Sequence, residues 1–149
     1  MAYFRAAFDT TASPDAAFAY LADFSTTVEW DPGVVSAERI DPLPLGVGTR
    51  FEVVSSFLGQ RVPLRYEIVQ YDAPKRVVLE ASTEALRSID TITCEPIAGG
   101  TRVTYDASLI LEGWRYVADL GLHAMFQVIG QRALAGLRRE LGRGRAAPR

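Results

Sequence analysis

Residues 115–142 read RYVADLGLHAMFQVIGQRALAGLRRELG. With no proline inside and leucines recurring at helical spacing, this stretch predicts a closing helix of roughly 28 residues, roughly 42 Å long. On a wheel of about 100° per residue, Leu122, Phe126, Ala133, Leu137 and Leu141 fall on one face. Arg132, Arg139 and Arg143 lie opposite. Asp119, His123 and Gly130 fall near the centre of the apolar face. The two polar residues are unexpected there. Glycine in a helix interior costs about 1 kcal/mol relative to alanine, so Gly130 is expected to make room for something opposite.

Upstream of this helix the period changes from helical to alternating. Phe4, Ala6 and Phe8 share one side of a first strand over Tyr3–Asp9. Ser13-Pro14-Asp15 then starts a short helix: serine caps, proline takes the first turn, and aspartate favours the positive end. Phe24–Glu29 reads as a second short helix or turn, ended by Trp30-Asp31-Pro32-Gly33. Val34–Asp41 is a second strand, followed by a proline-rich loop.

A meander follows. Phe51, Val53, Ser55 and Phe57 share a face, then Val62, Leu64, Tyr66 and Ile68, then Val77, Leu79, Ala81 and Thr83. Ile92 and Cys94 continue it, with Asp90 in phase, and a Gly99-Gly100 hairpin leads to Val103, Tyr105, Ala107, Leu109 and Leu111. Such alternation belongs to an antiparallel sheet with one wet face. Its apolar face needs a covering layer, and the closing helix is long enough to lie across it. The fold class is therefore α+β. A curved sheet folded around a long helix leaves space between them, which makes a cavity the first functional expectation.

The 149 residues make one domain by length, spanning 1–142 with a polar, disordered tail at 143–149. A hydrophobic fraction of 48% and a charged fraction of 23% are ordinary for a soluble domain. A net charge of −2 gives no footprint for nucleic acid. The single cysteine, Cys94, excludes an intrachain disulfide framework and fits a reducing compartment. No secretory signal and no run of apolar residues long enough to span a membrane is visible. A cytoplasmic location is expected. One histidine and one cysteine make no usual zinc site. No G-x-G-x-x-G, Walker loop, H-E-x-x-H or G-x-S-x-G motif appears, so neither metal nor cofactor is expected.

Taken in order, Ser13-Pro14-Asp15 with Phe18, Leu21 and Asp23, Trp30-Asp31-Pro32-Gly33-Val34 and Gly46-Val47-Gly48-Thr49 form a recognisable series. Tyr71–Val77, the Gly99–Val103 hairpin and the closing helix with Leu137 complete it. This series resembles the START-like (SRPBCC, helix-grip) superfamily, in its polyketide cyclase/dehydrase and lipid-transport branch, over about residues 3–142. The resemblance implies a seven-stranded antiparallel sheet gripping the last helix, two short helices after the first strand, and a hydrophobic cavity. Members include carriers of hydrophobic ligands, aromatases and cyclases, lyases, and domains with no known reaction, so the fold does not fix the function.

The leading expectation is binding of a hydrophobic small molecule, polyketide-, lipid- or aromatic-like, between sheet and helix. One alternative is a cyclase, aromatase or dehydrase acting on such a ligand. Another is a protein-interaction module with a filled core. A homodimer stays open. The expected ligand wall is Trp30, Phe51, Val53, Ser55, Tyr66, Ala81, Tyr105, Ala107, His123, Phe126 and Gly130. Candidate proton-transfer groups are Asp119, His123 and Asp90.

Each of these has a plainer alternative. Asp119 and His123, four apart on the helix, form either an oriented acid/base pair or a structural pair that satisfies itself. Asp90 points inward or, after a one-residue slip of its strand, to solvent. Tyr66 and Tyr105 carry phenols that meet either a ligand or the core. Trp30 is a cavity wall or a packing plug.

Overall fold

The computed structural model describes residues 2–57, 59–111 and 119–142, and at Phe57 and residues 119–123 the backbone alone. Strand β1 (Ala2–Thr10) leads into α1 (Pro14–Ala22), a 3₁₀ turn (Phe24–Thr26) and the short helix α2 (Thr27–Trp30). Six strands follow: β2 (Val34–Arg39), β3 (Arg50–Phe57), β4 (Gln60–Asp72), β5 (Arg76–Ser82), β6 (Leu86–Ile97) and β7 (Gly100–Leu111). Helix α3 (Asp119–Gly142) closes the chain. The expected helix start at Arg115 and the tail at 143–149 lie outside the described residues.

The seven strands form one sheet in the order β1-β7-β6-β5-β4-β3-β2, antiparallel throughout. From β2 onward every strand pairs with the next in sequence. Only β1 departs from this, lying beside β7 with Ala2 opposite Leu109 and Thr10 opposite Thr101. Register shifts between Val34 and Ser36 and between Ile68 and Gln70 each insert a kink, and such bulges bend and twist a sheet. The result is a curled sheet whose concave face holds the inward residues of the alternating pattern. Phe51, Ile68, Val77, Leu79, Ile92 and Val103 are fully buried there. The hairpin between β6 and β7 turns at Gly99, whose φ of 81° is the left-handed conformation that favours glycine.

Ser13 caps α1 as expected, its Oγ accepting from the Ala16 N–H at 3.2 Å. Ala17, Phe18 and Leu21 bury the helix's apolar stripe, and Phe18 packs edge-on against Tyr71 of β4. Helix α3 buries Leu134, Leu137 and Leu141 and leaves Arg132 and Arg139 exposed.

Two glycines set how close α3 comes to its neighbours. A Cβ on Gly130 would lie 2.5 Å from the Phe4 ring of β1, and one on Gly136 would lie 1.8 Å from the Trp30 carbonyl oxygen. The space expected in front of Gly130 is thus taken in part by Phe4, a residue of the sheet itself. Among the described residues no helix is long and apolar enough to cross a membrane.

Candidate ligand-binding cavity

Between the concave sheet and α3 lies a cavity of about 180 Å³. Strands β3, β4, β6 and β7 supply one wall, with Ser55, Leu64, Tyr66, Leu86, Ser88, Asp90, Tyr105, Ala107, Leu109 and Leu111 among the lining residues. Helix α3 supplies the other through Phe126, Ile129, Gly130, Ala133, Leu134 and Leu137. Phe4 of β1 and the Trp30–Gly33 segment close the sides. The surface is mainly aliphatic and aromatic, as small-molecule pockets are.

One patch of this wall is polar and internally bonded. Asp90 on β6 sits opposite Leu79 and Ala107, so the register that turns Ile92 and Cys94 inward turns Asp90 inward as well. It is 7% exposed. The phenol of Tyr105, diagonal to it on β7, donates to Asp90 Oδ2, and Ser88 Oγ donates to Oδ1 at 3.2 Å. Tyr66 on β4 reaches Ser88 at 2.8 Å. That bond spans β5, where the small Ala81 lies directly opposite Ser88 and leaves room for the phenol to cross.

Burial penalises charge across this patch. It pushes the Asp90 carboxyl up to about 6, against the opposing pull of the Tyr105 and Ser88 hydrogen bonds. Burial, and the negative charge of Asp90 beside them, also raises the phenols of Tyr66 and Tyr105 well above their ordinary value. Asp31, at the cavity side, is raised by burial too, opposed by the 2.8 Å hydrogen bond its Oδ1 accepts from the Gly33 N–H. Cys94 is a buried core thiol pushed up to about 12.

Of the expected wall residues, Trp30, Ser55, Tyr66, Tyr105, Ala107, Phe126 and Gly130 come together around the cavity. Trp30 is both wall and plug: it is 3% exposed, stacks edge-on with Tyr105, and donates from Nε1 to Thr26 Oγ1 at 3.3 Å. Phe51, Val53 and Ala81 lie instead in the packed core. Phe24 of the 3₁₀ turn sits against both Phe51 and Tyr66, at ring separations of 6.2 and 5.1 Å, and fills that end of the concave face. Ala81 is too short to reach past the phenol above it.

The side chains of Asp119 and His123, and of Leu122 beside them, lie outside the described residues. Sequence reasoning passed over Ser88 and Asp31. Ser88 shares strand parity with Asp90, so its inward direction was available from the same alternation. Asp31 had a signal too: it belongs to the Trp30–Gly33 turn that borders the cavity.

The curled seven-stranded sheet around a C-terminal helix defines the helix-grip class. The chain belongs to the family described as polyketide cyclase / dehydrase and lipid transport, which it matches over residues 1–142. Solved structures share its architecture. TTHA0849 from Thermus thermophilus superposes with a TM-score of 0.77 at 20% identity, covering 93% of this chain and 96% of that one. A START superfamily protein from Mycobacterium smegmatis gives 0.70 at 12% identity, covering 97% and 96%. The di-domain ARO/CYC protein StfQ of the steffimycin biosynthetic pathway gives 0.72 at 14% identity, with this chain spanning 97% of its own length and 51% of StfQ. No curated protein sequence matches the chain.

Proposed function

We propose that this protein binds a hydrophobic small molecule, ring-bearing or acyl, in the cavity between the sheet and α3. The observation that carries the proposal is a mainly apolar cavity of about 180 Å³ with a bonded polar patch at Tyr66, Ser88, Asp90 and Tyr105. An apolar body would leave water on entering, and the patch would orient its one polar end. Family membership supports the same class of ligand. The aromatic rings of Trp30, Tyr66, Tyr105 and Phe126 in the lining favour flat ligands over straight chains. A filled-core interaction module does not fit a core that contains this space.

The test is native mass spectrometry of freshly purified protein, followed by titration with the uncharged fluorescent probe N-phenyl-1-naphthylamine. A retained small molecule, or saturable probe uptake displaced by polycyclic phenols, is expected. Neither retention nor saturable uptake would remove the proposal, and better displacement by fatty acids would remove the preference for flat ligands.

One observation favours a second reading, an enzyme of the cyclase, aromatase or dehydrase kind. The Asp90 carboxyl, with a proton affinity near neutrality, is suited to general acid/base work on a bound ligand. Asp119 and His123 stay candidates for such a role. If this reading holds, Asp90→Asn abolishes any turnover found while ligand is still bound. Turnover unchanged in that variant would exclude Asp90 as the proton-transfer group.

A further inference from the structure

The hydroxyl protons of the polar patch can be counted. Ser88 has one, and it goes to Asp90 Oδ1. Tyr105 has one, and it goes to Asp90 Oδ2. Because the Ser88 proton is used, the 2.8 Å contact between Tyr66 and Ser88 has Tyr66 as donor. All three hydroxyl protons are therefore held inside the network while Asp90 is ionised. What the patch has left for a ligand is lone pairs, on the carboxylate and on the phenol oxygens.

The surroundings act in the same direction. Among the described lining residues there is no lysine, arginine or histidine, while Asp31 and Asp90 are both present. The Trp30 indole N–H is engaged by Thr26, and the Gly33 N–H by Asp31. Ser55 and Ser56 also line the cavity. As neutral hydroxyls they do not offset two acids. A ligand carboxylate entering here would meet acceptors and negative charge. A ligand hydroxyl would find acceptors, and a protonated amine would also supply the positive charge that the described lining residues do not give the buried carboxylate.

We infer that the cavity reads the polar end of its ligand as a hydrogen-bond donor, a hydroxyl or a protonated amine on an apolar, ring-bearing body, and rejects carboxylate-headed molecules such as free fatty acids. This inference rests on the proposed ligand-binding function and names the ligand class for that same cavity.

A matched series on one aromatic body tests it: 2-naphthylmethylamine, 2-naphthalenemethanol and 2-naphthoate, each competing against N-phenyl-1-naphthylamine on the wild-type protein at about pH 7.5. The amine and the alcohol are expected to displace the probe at concentrations about tenfold or more below the carboxylate, the size of one charge-assisted hydrogen bond. In Asp90→Asn, where an amide donor replaces a carboxylate oxygen, the amine should lose about tenfold and the gap to naphthoate should close.

Naphthoate competing as well as the amine in the wild type overturns the inference and leaves hydrophobic binding intact. So does an unchanged ranking in the Asn variant. If the protein takes up neither the probe nor any of the three compounds, the binding function itself falls and this inference with it. The wild-type ranking decides the matter even if the Asn variant does not fold.

Discussion

Asp90 is held by two opposing effects of different size. Burial raises its carboxyl to about 6, while the hydrogen bonds from Tyr105 and Ser88 pull it down. Tyr105 exerts the larger of the two pulls, so removing its hydroxyl should let burial act more fully. In Tyr105→Phe the Asp90 carboxyl is expected to titrate above the wild-type value, read by the pH dependence of its ¹³C carboxyl resonance. An unshifted or lowered midpoint would show that the Tyr105 phenol is not what restrains it. Asp90 also shows where reading the sequence runs out at this scale. Its parity with Ile92 and Cys94 was plain, but strand parity alone does not establish register, and a slip of one residue reverses every side chain. The pairing with Leu79 and Ala107 is a long-range fact that no local pattern contains.

The element whose fit is tightest is α3. Its two interior glycines meet different kinds of obstacle. At Gly130 an added methyl would strike the ring of Phe4, a side chain that can turn; at Gly136 it would strike the backbone carbonyl of Trp30, which cannot move without shifting α2. Alanine gains about 1 kcal/mol of helix propensity over glycine at either site. Overpacking typically costs about 1–3 kcal/mol, so the clash should win at both. Gly130→Ala is expected to lower stability modestly, with recovery on adding Phe4→Leu. Gly136→Ala should cost more and should not be rescued by trimming a side chain. Urea unfolding of the variants and the double variant measures this, and a stabilised Gly136→Ala would contradict the close approach of α3 to α2. The helical period was legible, and so were Leu137, Leu141 and the exposed arginines. The role of Gly130 was legible only in part. A glycine announces that space is needed, but whether a ligand or Phe4 uses it depends on a strand 126 positions away in the chain, at residue 4 against residue 130.

For the molecule as a whole, Asp90 makes stability depend on pH in an unusual direction. Its ordinary value is 3.8 and its folded value about 6. Between these limits the folded chain holds a proton that the unfolded chain has released. The contribution of this group is therefore most favourable below about pH 4 and is lost as pH rises through about 6, with a span on the order of 3 kcal/mol. Asp31, also raised by burial, adds in the same sense. Asp41, lowered by Arg50, works oppositely as pH falls. Comparison with Asp90→Asn isolates the term, because asparagine does not titrate. The variant's stability relative to wild type should improve by roughly 2–3 kcal/mol from pH 4 to pH 7.5 in urea titrations. Parallel curves at the two pH values would mean that Asp90 is not buried as described.

The order of strands carries one more consequence, and it concerns time. Strands β2 to β7 each meet the strand next to them in the chain, so that part of the sheet can assemble hairpin by hairpin as it is made. The first strand has no such neighbour. Its partners run from Thr101 to Leu109, and Phe4 waits for both Ala107 and Gly130. On the ribosome, β1 emerges before every other strand and is thus among the last to be seated. Until β7 has been made, the apolar face carrying Phe4 and Phe8 has no sheet edge to join, and the grip on α3 closes only once α3 itself has followed β7.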